Sequence, residues 1–133
     1  MRPKAPDVRY RVINQTRNTL LADQAARADS FLSRFKGLMG VPELPMGHGL
    51  QIEPCNSIHT FFMRIPIDAL FLDQQLQVVD ICHALPPWRV SRVYFGARSV
   101  LELPAGTAAA SQTQPGDRLS FAPVEAAGAP KPS

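Results

Sequence analysis

The sequence predicts a mainly β domain, a compact β-sandwich or partly open barrel with one short N-terminal helix. Short apolar runs recur roughly every dozen residues, some alternating with polar residues, which is the pattern of half-buried strands. Thirteen prolines against eight glycines divide the chain into many brief elements, because proline stops helices and is excluded from central strands. A single segment carries helical spacing. At 133 residues and 14.6 kDa the chain suits one core, burying about two-thirds of the surface that its unfolded form exposes. An apolar share of 45% with 19% charged residues excludes a polyampholytic disordered chain.

Residues 1–7 are expected to be a flexible N-terminus, residues 8–124 a single β-rich domain and residues 125–133 a disordered tail, small, polar and proline-containing. Within the domain, Val8, Tyr10 and Val12 alternate with Arg9 and Arg11, a first strand. Thr19 to Ala25 is a second extended stretch. Between Asp29 and Met39, the residues Phe31, Leu32, Phe35, Leu38 and Met39 share one helical face. Asp29 or Ser30 caps that helix and Gly40 stops it. Val41 to Gly49, with two prolines and two glycines, is a loop. Leu50 to Pro54 is a short strand. Ser57 to Met63 packs Ile58, Phe61, Phe62 and Met63 together, and its pattern leaves helix and strand open. Ile67 to Leu72 is almost continuously apolar, a buried strand that turns at Asp73–Gln75 into Leu76 to His83 as an antiparallel hairpin. Pro86, Pro87 and Trp88 break that strand into a loop. Ser99 to Leu103 is a further strand, Thr107 to Gln112 a short helical turn, and Pro115-Gly116-Asp117 a tight turn into a last strand, Arg118 to Ala122.

Charge is uneven along this frame. Residues 1–36 hold eight basic and three acidic residues, whereas residues 37–133 hold six basic and eight acidic. The early cations are scattered, which suits a solvated leading strand better than a phosphate-binding patch. Nucleic acid is disfavoured, because basic and aromatic residues interleave only near Arg92-Val93-Tyr94-Phe95. No segment approaches the ~18 apolar residues of a membrane span. Met1 is followed by charge and proline rather than an apolar export signal, so a cytoplasmic setting is expected. There Cys55 and Cys82 are reduced thiols.

Cys55 and His59 stand four residues apart, the spacing that would place a thiol and an imidazole on one face if the segment were helical. A buried structural cysteine and a satisfied core histidine are the more frequent outcome. A metal site would have to draw on Cys55, His59, Cys82, His83 and His48, but zinc takes three or four converging ligands and adjacent strand residues such as Cys82 and His83 face opposite ways. No metal and no cofactor are therefore expected. Asp68 and Glu102 interrupt apolar strands, where an unpaired carboxylate costs several kcal/mol. Arg64, Arg98 and His59 are the candidate partners, with loop amides as the alternative for either carboxylate. Gly47-His48-Gly49-Leu50 is a turn. Pro86-Pro87-Trp88-Arg89 is either a contact for a partner or membrane surface or a cover for one end of the core.

The blocks Gly37-Leu38-Met39-Gly40, Ser57-Ile58-His59-Thr60-Phe61-Phe62-Met63, Ile65-Pro66-Ile67-Asp68-Ala69-Leu70-Phe71-Leu72-Asp73, Val100-Leu101-Glu102-Leu103-Pro104-Ala105-Gly106-Thr107 and Pro115-Gly116-Asp117 occur in that order. In them the chain, from about Asn18 to Ala122, resembles the bacterial and archaeal family called domain of unknown function 192, or uncharacterised protein family 127. The resemblance implies a single mostly β domain with one short early helix, and no established activity. The functional expectation from the residues is a binding domain. Its polar pocket, built from His59, Arg64, Asp68 and Glu102 with Cys55 nearby, holds a small ligand or a peptide end. A cysteine–histidine enzyme of acyl or thiol chemistry and a structural or assembly module are the alternatives. The sequence leaves the oligomeric state open.

Overall fold

The computed structural model describes residues 8–28, 44–61 and 63–124. Within them the chain forms β1 (Tyr10–Asn14), β2 (Thr19–Ala28), β3 (His48–Ile52), β4 (Ile67–Leu72), β5 (Val78–Leu85), β6 (Ser99–Pro104), the four-residue helix α1 (Thr107–Ala110) and β7 (Leu119–Pro123). The strands make one seven-stranded sheet in the order β5-β4-β6-β3-β2-β1-β7. All neighbours are antiparallel except β2 and β3, which run parallel. Bulges in β2, opposite β1, and in β5, opposite β4, bend the ladder, since an extra residue on one strand increases local twist.

The sheet curls until its two outermost strands approach one another. Gln77 bridges Arg118. Around that bridge Val78 N donates to the Asp117 carbonyl (2.8 Å), Gly116 N to the Val78 carbonyl (2.8 Å) and Leu119 N to the Leu76 carbonyl (2.9 Å). The result is a half-barrel, so of the two predicted architectures the partly open barrel is the one formed. The Asp29–Met39 helix lies outside the described residues.

Alternation along the strands divides the apolar residues between the two faces. Leu70, Leu72, Leu101 and Leu103 point into the concave core with Val12, Leu21, Ala25, Val78, Ala108 and Leu119. Ile67, Ala69, Phe71 and Val100 point to the convex face with Ile58 and Met63. Both faces of β4 and β6 are therefore covered, and all six residues of each strand are buried. This is why Ile67–Leu72 reads as an unbroken apolar run.

The convex cover is an irregular ribbon of residues 55–61 against 86–98. Its rungs are Cys55 N to the Arg98 carbonyl (2.9 Å), Tyr94 N to the Asn56 carbonyl (2.9 Å), Ser91 N to the Ile58 carbonyl (2.8 Å) and Thr60 N to the Arg89 carbonyl (2.8 Å). Of the segment that the pattern left open, Ser57–Thr60 is thus extended, and Met63 N closes a turn on the Thr60 carbonyl (3.1 Å). Proline at positions 86 and 87 prevents β5 from continuing into the ribbon as regular strand.

Candidate functional site

The two carboxylates singled out from the sequence fall on opposite faces of the sheet. Directly paired residues share a face. Asp68 pairs with Leu103, whereas Glu102 pairs with Ala69 on one side and Leu50 on the other. Asp68 therefore points into the concave core and Glu102 to the convex face, and the register does not bring them together.

Asp68 is fully buried, and main-chain donors satisfy it. Its Oδ1 accepts from Ala84 N (2.8 Å), and its Oδ2 accepts from Gly106 N (3.1 Å) and Ala108 N (2.9 Å). Gly106 precedes α1 in the left-handed conformation, φ 96°, and has no side chain with which to cap it. The carboxylate of β4 supplies that cap from across the core. It also pins Ala84, whose φ of 49° is unusual for an alanine.

Glu102 is in a different situation. Only 5% of its surface is exposed, and among the described residues its carboxyl has no hydrogen-bond or ion-pair partner. Burial, which penalises the charged form, pushes its pKa from 4.5 up to about 8. At neutral pH it is mainly a protonated acid.

The remaining candidates lie on or beside the ribbon. Cys55 packs at the junction of the two convex clusters, and its thiol donates to the Ser57 carbonyl at 2.9 Å. His59 bridges Val90 several rungs away. Its Nδ1 accepts from Phe61 N at 3.3 Å, and its ring begins a stack with Phe61 (centroids 4.7 Å) and then Trp88 (5.6 Å). Because the segment is extended, spacing by four does not give Cys55 and His59 a common helical face. Arg64 is exposed in the bend before β4. Arg98, a suggested partner for the buried carboxylates, instead places Nε 3.9 Å from Glu53, which also stands 3.8 Å from Arg27.

A cleft of about 360 Å³ opens where the ribbon leaves the sheet, lined by Pro54, Cys55, Asn56, Ser57, Ala97 and Arg98. Of the five residues expected to form a pocket, Cys55 lines this cleft. Among the described residues no group of three or more His, Cys, Asp or Glu side chains could hold a metal ion, and both cysteines are free thiols.

Two polar centres escaped the sequence reading. Thr60 is fully buried. Its hydroxyl donates to the Pro86 carbonyl (2.6 Å) and accepts from Arg89 N (2.9 Å), fixing the turn that carries Trp88. At the far end, Asp117 Oδ2 accepts from Asn14 Nδ2, Arg17 Nε and Gln114 N, each at 3.0 Å. Burial pushes the Asp117 pKa up, but these hydrogen bonds together outweigh it and hold the group below the usual carboxylate range. Pro115-Gly116-Asp117 marks a turn in the sequence. The hint that its aspartate is also a hub is that Asn14, at the end of β1, is polar where β1 enters the core.

A seven-stranded half-barrel with a ribbon-covered convex face and a polar cleft at its margin defines a small, mostly β domain class. Residues 12–121 match the family DUF192, described as uncharacterized ACR, and the chain belongs to that family. It is 33% identical over 120 residues to a UPF0127 protein of Thermococcus kodakarensis, covering 86% of this chain and 74% of the relative. It is 34% identical over 113 residues to a UPF0127 protein of Pyrococcus horikoshii, covering 83% and 97%. The fold is shared with a protein of unknown function from Novosphingobium aromaticivorans, whose crystal structure superposes with a TM-score of 0.72 at 22% identity over 85% of this chain and 84% of that one. Among the described residues no helix is long and apolar enough to cross a membrane.

Proposed function

We propose that the domain is a binding module that takes a small carboxylate-bearing ligand, or the carboxylate end of a peptide, in the cleft beside Cys55. The observation that carries this reading is the make-up of the cleft: among the described residues of its lining Arg98 is the charged one, flanked by Asn56 and Ser57 as neutral hydrogen-bonding groups. A guanidinium on a concave wall suits a planar carboxylate. The Arg98 side chain is 60% exposed and its Nε stands 3.9 Å from Glu53, a loose, solvated approach, so a ligand carboxylate competes for it at little cost.

Binding is favoured over thiol catalysis. The Cys55 thiol donates to the Ser57 carbonyl rather than to an imidazole, and the His59 nitrogen described above faces a backbone amide. The free thiols are consistent with the cytoplasmic setting proposed for the chain.

The test is a thermal-shift and calorimetric screen of N-acetylated amino acids and small carboxylates, repeated on Arg98→Gln. A true ligand at ~100 times its dissociation constant adds about 2.7 kcal/mol of stability. The expected result is a hit that disappears in the variant. A hit that survives Arg98→Gln, or a panel without hits, defeats the proposal.

A further inference from the structure

We propose that the outer ribbon strand, residues 86–98, is a docking surface for an anionic lipid bilayer. The ribbon displays apolar side chains to solvent: Trp88 is 58% exposed, Val90 63%, Val93 43% and Phe95 90%. Single exposed apolar residues are ordinary, but four within eight consecutive positions call for a partner.

These side chains are held out by a fixed backbone. Trp88 N donates to the Thr60 carbonyl (3.0 Å), and the rungs at Ser91 and Tyr94 tie the rest of the ribbon down. Trp88 itself adopts φ 62°, a conformation costly for a bulky residue and kept only where the surroundings impose it.

Charge selects the occupant. Between Asp80 and Glu102 the sequence contains no acidic residue and three arginines, Arg89, Arg92 and Arg98. Among the described residues, the carboxylates that reach this region from elsewhere are Glu53, beside Arg98, and Asp80, whose charge acts on Tyr94. Arg89 and Arg92 remain exposed on the ribbon, with the Arg92 guanidinium 5.1 Å from the Tyr94 ring centroid.

The apolar side chains alternate with these arginines instead of forming a single patch or groove. That arrangement suits a headgroup layer, where rings and aliphatic tips enter the interface while guanidinium groups stay at the phosphates. The ribbon ends at Ala97 and Arg98, which line the carboxylate cleft, so the variants below lie at positions 89–95 and leave Arg98 in place.

The experiment is co-sedimentation of the full chain with phosphatidylcholine vesicles and with equimolar phosphatidylcholine–phosphatidylserine vesicles, with Trp88 fluorescence as a second readout. Trp88 is the sole tryptophan, so a blue shift on binding reports its own entry into the interface. Binding to the anionic vesicles alone is expected. Phe95→Ser weakens it about tenfold, and Arg89→Gln with Arg92→Gln weakens it roughly twenty-five-fold, about fivefold per charge. Since these side chains are exposed, each variant is expected to keep the wild-type unfolding midpoint. Equal binding to both vesicles, binding to neither, or undiminished binding by Phe95→Ser overturns the proposal. Binding to soluble polyglutamate without binding to vesicles also overturns it and assigns the face to an acidic protein.

Discussion

Glu102→Gln probes the least compensated group in the sheet. A carboxyl whose pKa rises from 4.5 to about 8 on folding favours the native state only while it carries its proton. Its contribution is complete below the ordinary carboxylate range, declines as pH rises past 4.5 and levels off above about 8. At about 1.4 kcal/mol per pH unit, that interval gives a ceiling of about 5 kcal/mol, of which roughly 3 is already lost at neutral pH. Glutamine keeps the shape and cannot ionise, at the cost of about 1 to 2 kcal/mol for its own buried amide. The variant is therefore slightly less stable than wild type in mild acid and more stable by a few kcal/mol in mild base, so the two stability–pH curves cross. Urea unfolding followed by Trp88 fluorescence from about pH 5 to about pH 9 measures both curves. Parallel curves would mean that Glu102 ionises in the native state without penalty, and the argument from its isolation would fail.

Two further outcomes follow from the geometry. Asp68→Ala leaves the amides of Ala84, Gly106 and Ala108 without their acceptor and is expected to cost 3 kcal/mol or more, at about 1 kcal/mol or more per orphaned donor; an unchanged urea midpoint would show that other groups satisfy them. The Tyr94 hydroxyl, 3.5 Å from the Cys82 sulfur, has its pKa pushed up to about 12, first by that hydrogen bond and then by burial. An absorbance titration should show a late step that Tyr94→Phe removes and Cys82→Ala shifts to lower pH, and a late step insensitive to Cys82→Ala would contradict the assignment.

Strands were legible wherever one principle acted alone. The run at Ile67–Leu72 declared a buried strand, Ser99–Leu103 was read as a strand without its burial on both faces, and the helical turn after Gly106 appeared at Thr107 as expected. Ser57 to Met63 was ambiguous because residues 57–61 belong to a backbone ribbon with neither strand nor helix periodicity.

The site was harder to read for a topological reason. Asp68 and Glu102 are both carboxylates within apolar strands, and their separation to opposite faces depends on the register between β4 and β6, residues more than thirty positions apart. A shift of one residue would have put them on the same side. Thr60 and Asp117 were missed because their importance lies in whom they bond, which side-chain type does not disclose. The Glu53–Arg98 and Glu53–Arg27 approaches are likewise products of folding at distance.

The pairing of β1 with β7 has a kinetic consequence. Tyr10 meets Pro123 and Asn14 meets Leu119, so joining these strands closes a loop that contains nearly every other element, and such distant contacts are formed late and slowly. Until β7 arrives, β1 presents an unsatisfied edge and the Gln77–Arg118 seam cannot form. During that interval β1 is the site at which a second unfinished molecule could add a strand and divert folding into aggregation.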